Sequence, residues 1–135
     1  MTSRAERLSR AITVPAQPDQ LGPLRNRIGQ WLTDSDIPPP LRADIVLATD
    51  EALANAVEHA YRHEEESGTV DVTVMVNQDE VAVSVTDHGS WKQPCPERCE
   101  FRGQGLRIIR SLAERVDVDN TAEGTGLIAH FPRHA

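Results

Sequence analysis

Aromatic residues make up only 4% of the 135 positions, so any core must be built from aliphatic side chains. Cysteine is confined to Cys95 and Cys99, too few for a disulfide framework. No apolar run reaches the roughly 20 residues that a bilayer-spanning helix needs. The polar stretch from Met1 to Arg10 has none of the apolar centre of a secretory signal. A cytoplasmic protein with no membrane association is the expectation. Basic charge is scarce as well, with 14 Lys and Arg against 21 Asp and Glu and a net charge of −7. Binding to nucleic acid neutralises phosphates with a basic face, so no direct nucleic-acid contact is expected. Arg102, Arg107 and Arg110 form the strongest local basic grouping. Internal repeats and low-complexity segments are missing too. So is any Gly-x-x-x-x-Gly-Lys-Ser/Thr, which excludes a P-loop.

What is present suits one compact domain over residues 1–135, with 39% hydrophobic and 26% charged residues. Ala11 to Val14 reads as a short strand stopped by Pro15. Asp19 is placed to cap a helix from about Gln20 to Thr33, with Leu21, Leu24, Ile28, Trp31 and Leu32 at helical spacing. Asp34 to Pro40 reads as a breaker. A longer helix is predicted from Leu41 to Tyr61, where Ile45, Ala48, Ala52 and Ala56 mark an apolar line. Arg62 to Gly68 is a charged loop. Thr69 to Val76 and Val81 to Thr86 alternate with period two around a turn at Asn77 to Glu80, the pattern of a β-hairpin. His88 to Arg102 is irregular. A third helix is predicted over Gly103 to Glu114, then strands Val116 to Asn120 and Thr125 to Phe131 about a turn at Ala122 to Gly124. Two hairpins and three amphipathic helices imply an α/β two-layer sandwich, with a mainly antiparallel sheet and three helices on one face.

Four constellations bear on chemistry. Glu51, Asn55 and His59 stand at i, i+4 spacing on the long helix. Glu can act as a base, and Asn is a neutral oxygen ligand for a hard cation such as Mg²⁺; taken alone, the line reads sooner as a solvated helix face. Asp87-His88-Gly89 ends a strand. It reads as a turn, or as a carboxylate for an exocyclic amine with a glycine that admits a flat ring. Gly103-Gln104-Gly105 opens a helix, where backbone N–H groups can face phosphate. Gly124-Thr125-Gly126 starts the last strand, either as a hairpin turn or as a hydroxyl aimed at a nucleotide. Two further pairs, Cys95 with Cys99 and His59 with His63, read as free thiols and as a solvated helix end. Too few ligands accompany either pair for a structural metal.

The order of these four elements resembles the motif series of the GHKL ATPases. Asp50-Glu51-Ala52-Leu53-Ala54-Asn55-Ala56-Val57-Glu58-His59-Ala60 is similar to the N-box of the bacterial anti-sigma-factor serine/threonine kinases. Gly103-Gln104-Gly105-Leu106-Arg107-Ile108-Ile109 is similar to their glycine box. The resemblance runs from Ile12 to Phe131 and implies the Bergerat-type ATP-binding fold. It implies that Asn55 coordinates Mg²⁺ on ATP and that Glu51 is the general base toward a serine hydroxyl. Asp87 would bind the adenine amino group beside Gly89, Gly103 and Gly105 would face the phosphates, and Thr125 would support the nucleotide. Residues 90–102 would form a lid over ATP, with Arg102 or Arg107 neutralising transferred charge. By the same resemblance the partners are a sigma factor and a STAS-domain antagonist that is phosphorylated in partner switching. Relatives are often homodimers, and the residues leave the oligomeric state open. Gln104 stands where many relatives carry Arg, which keeps in view an alternative: a non-catalytic, nucleotide-gated protein-binding module. A histidine-kinase half is a third reading, without a helix pair carrying a phospho-accepting His.

Overall fold

The structure is a computed structural model that describes residues 8–57, 68–88, 106–121 and 124–133. In chain order the elements are β1 (Leu8–Pro15), a 3₁₀ turn (Pro18–Gln20), α1 (Leu21–Asp34), α2 (Pro39–Asn55), β2 (Thr69–Val76) and β3 (Glu80–Asp87). A helix over 106–112, here α3, follows, then β4 (Arg115–Thr121) and β5 (Gly124–Pro132). The five strands form one sheet in the order β1-β2-β3-β5-β4, and every pairing is antiparallel. The two-layer arrangement expected from the sequence is therefore present. No helix among the described residues is long and apolar enough to cross a membrane.

Strand alternation decides which face is covered. On β2, Val70, Val72, Val74 and Val76 are buried, and on β3 so are Val81, Val83 and Val85. These valines join Leu24, Ile28 and Leu32 of α1, Ile45, Ala48, Ala52 and Leu53 of α2, and Ile109 of α3 in one cluster. β-branched residues suit this pleated surface, and each fully buried aliphatic side chain contributes about 1.5–3 kcal/mol. Phe131 is the one aromatic residue fully buried among the described residues, so the core is aliphatic, as the composition requires. The opposite sheet face is polar, with rows such as His130 beside Glu80 at 3.4 Å.

Several boundaries differ from the sequence reading. The segment Asp34 to Pro40 is not a break of that length. α1 ends at Asp34, and Asp36 takes φ of 63°. The Ile37 N–H bonds to the Leu32 carbonyl (3.1 Å) and the Asp36 N–H to that of Thr33 (3.0 Å). This is a Schellman closure, with Ile37 and Leu32 both buried across it. α2 then starts at Pro39, so two of the three prolines lie in its first turn, where a missing N–H costs nothing. Asp19 does not cap α1. It sits in the 3₁₀ turn, and the residue at the N-cap is Gln20, with no side-chain cap bond. β1 is longer than expected because its register with β2 runs from Leu8↔Val76 to Pro15↔Thr69.

Candidate functional site

Asp87 is the last residue of β3 and lies on the face of Val81, Val83 and Val85. A carboxylate at the next helix-facing position is thus drawn into the core, where it is 4% exposed. Thr125 of β5 is its register partner, itself 9% exposed. The Thr125 N–H donates to Asp87 Oδ1 at 3.3 Å. Val70 of β2 flanks Asp87 from the other side.

A pocket opens above this pair. Asp87 and Val85 supply one wall, Thr125, Leu127 and Val118 another, and Ala52, Asn55 and Ala56 of α2 close it with Leu106 of α3. Ala52 of α2 and Ala56, just past its end, are buried and carry only a methyl group each. The walls are apolar, and Asn55, Asp87 and Thr125 are the polar members. Immediately after Asn55 the helix widens into a π-type turn at 56–57, a distortion common beside functional residues.

Of the residues singled out from the sequence, Asn55, Asp87 and Thr125 come together at this pocket. Glu51 lies one helical turn before Asn55, half-buried, and does not line it. Gly89, Gly103 and Gly105, the 90–102 lid, Arg102, Gln104, Cys95, Cys99, His59 and His63 lie outside the described residues. Arg107 is described and exposed on α3. No cluster of His, Cys, Asp and Glu able to hold a metal occurs among the described residues, so a cation here would rely on Asn55 together with oxygens brought by a ligand and water.

The sequence places Gly124 at the turn into the last strand, and the structure makes it the first residue of β5, with φ of 150°. A Cβ at this position would overlap the Asp87 carbonyl oxygen and crowd the Asp87 carbonyl carbon (3.0 Å) and His88 Cα (3.1 Å). Only glycine allows the end of β3 to pack this closely. The Gly-x-Gly spelling around Thr125 carried the signal without showing which glycine mattered: at Gly126 a Cβ would meet Thr86 Oγ1 at an ordinary 3.6 Å.

His88 turns to the opposite face. Its Nε2 is 2.8 Å from Asp71 Oδ2, and Thr13 Oγ1 donates to Asp71 Oδ1 at 2.6 Å. The Thr13 hydrogen bond, then the His88 hydrogen bond and charge, hold the Asp71 carboxyl below its ordinary value, against a smaller opposing effect of burial.

The chain matches the family model of the histidine kinase-like ATPase domain over residues 14–131. The serine-protein kinase RsbW of Bacillus subtilis is 34% identical over 121 residues, which cover 79% of this chain and 75% of that protein. The anti-sigma F factor of Pasteuria penetrans is 35% identical over 99 residues, 65% of each chain. Among solved structures, the RsbU and RsbW domains of a Mycobacterium tuberculosis protein align with a TM-score of 0.74 at 26% identity, over 92% of this chain and 32% of that one. The SiaB–SiaC complex of Pseudomonas aeruginosa gives a TM-score of 0.72 at 13% identity, over 96% of this chain and 92% of the other, a likeness of fold alone.

Proposed function

The chain belongs to the histidine kinase-like ATPase family, in the branch of the anti-sigma-factor serine kinases, and we propose that it binds ATP with Mg²⁺ and transfers the γ-phosphoryl group to a serine or threonine of a STAS-domain antagonist. It alternates between that antagonist and a sigma factor, acting in the cytoplasm. The observation that carries this reading is the buried Asp87 carboxylate, oriented by the Thr125 N–H in an apolar pocket that also holds Asn55. A buried carboxylate among apolar walls fits a purine, whose ring fills the walls and whose exocyclic amine meets the acid. Asn55 would supply one neutral oxygen toward Mg²⁺. When bound, Mg²⁺ neutralises charge on the phosphates.

In the transfer the acceptor hydroxyl oxygen bonds to the γ-phosphorus as the bond to the β–γ bridging oxygen breaks, and ADP leaves. Glu51 accepts the hydroxyl proton. It stands one turn from Asn55, outside the pocket lining. By the motif resemblance alone, phosphate binding is assigned to Gly103 and Gly105, room for the ring to Gly89 and the lid to residues 90–102, all outside the described residues.

A second reading, a nucleotide-gated binding module without transfer, is favoured by Gln104 in the glycine box. Calorimetric titration with ATP and ADP, with and without Mg²⁺, tests the site. Saturable binding strengthened by Mg²⁺ is expected, and no binding by folded protein would overturn both readings. Labelled phosphate on the antagonist then decides for transfer.

A further inference from the structure

On the uncovered face of the sheet, three strands are joined by one line of side-chain hydrogen bonds. Thr13 of β1 donates to Asp71 of β2, and the other oxygen of Asp71 accepts from His88, just past the end of β3. Thr13 and Asp71 are register partners, while His88 reaches Asp71 diagonally, two residues beyond its partner Thr86. The register of β2 with β3 closes at Val70↔Asp87, so the imidazole continues the tie between these strands beyond the point where their ladder stops.

We propose that Thr13 and Asp71 are positioning residues for the adenine end of the nucleotide site, acting through His88 on the backbone that carries Asp87. This rests on the nucleotide reading given above. The end of β3 is bracketed from two sides. Gly124 packs against the Asp87 carbonyl and His88 Cα, and Asp71 holds the His88 ring. Asp87 Oδ1 must meet the Thr125 N–H, so a shift of the strand end displaces the carboxylate. A bond between partly exposed side chains adds little to global stability; its location, on the residue joined to Asp87, gives it a local role.

The test compares Asp71→Ala, His88→Ala, their double variant and His88→Gln in the full chain. ADP titration is read together with hydrogen exchange at the Thr125 amide in nucleotide-free protein. Each single alanine variant is expected to weaken ADP binding by about two- to fivefold, the range of a partly exposed charged pair. The double variant is expected to be no weaker than either single one, because both substitutions break the same link. His88→Gln keeps an N–H donor toward Asp71 and is expected to bind as the parent does. Exchange at Thr125 is expected to quicken in the alanine variants and not in His88→Gln. Unchanged affinity in Asp71→Ala, or additive losses in the double variant, would overturn the proposal. If the parent binds no ADP, the nucleotide reading falls, and unchanged Thr125 exchange would separately show that the link does not hold Asp87.

Discussion

The carbonyl oxygen of Asp87 occupies the place where a side chain on Gly124 would begin. Strand β5 therefore admits the end of β3 only through the missing Cβ. Gly124→Ala is expected to destabilise the fold by about 1–3 kcal/mol, from both the φ of 150° and the overlap. It is also expected to weaken nucleotide binding by displacing Asp87. Gly126→Ala, two residues on, should stay within about 1 kcal/mol of the parent. Urea melts of the two variants check the contrast, and equal losses would refute it.

Glu51 and Asn55 share one helix yet have separable duties in the proposed reaction. Glu51→Ala is expected to lower phosphate transfer by about 10²- to 10⁴-fold, the usual worth of a general base, with ATP affinity kept. Asn55→Ala is expected to remove the gain in ATP affinity that Mg²⁺ confers. Rates on the antagonist and paired titrations with and without Mg²⁺ read the two effects. Transfer unchanged in Glu51→Ala would take that carboxylate out of the mechanism.

Asp36 holds φ of 63° to close α1, a conformation that costs most L-residues about 1–2 kcal/mol. Asp36→Gly relieves that cost and loosens the unfolded chain, so a net gain of about 0.5–1 kcal/mol is expected. Asp36→Val is expected to destabilise. Thermal melts distinguish the pair.

Asp71 ties stability to acid. Its folded-state carboxyl lies below the ordinary 3.8, first through Thr13 and then through His88. A depressed carboxylate contributes stability above its unfolded value of about 3.9 and loses that contribution as pH falls through the folded value. Thr13→Val removes the largest cause, so Asp71 should titrate closer to its ordinary value and give up less stability on acidification. Carbon NMR titration of the Asp71 carboxyl checks the direction, and a downward movement in Thr13→Val would refute it.

Much of this architecture was legible because it depends on periodicity. The valine alternation of β2 and β3 and the apolar line of α2 each report a buried face, and burial is what the fold enforces. Asp87 was legible as a strand-end acid, and the structure adds why it is buried: it continues the inward parity of Val81, Val83 and Val85. Less could be read where a residue's role depends on a distant neighbour. Three prolines signal a break, but whether they end one helix or begin another depends on the Leu32–Ile37 closure before them. Gly124 looks like a turn residue until β3 is laid against it. His88 occupies the unassigned middle of Asp-x-Gly, and its partner lies 17 residues back, on another strand. Local sequence carries no trace of such pairings.

Strands β3 and β5, which carry Asp87 and Thr125, are both interior to the sheet, with β2 shielding one and β4 the other. Loosening that begins at the β1 edge must consume β1 and β2 before it reaches Asp87. Fraying from the β4 side, by contrast, meets the pocket at once, because Val118 of β4 lines it. A ligand held against Val118 is therefore expected to slow the opening of β4 more than that of β1.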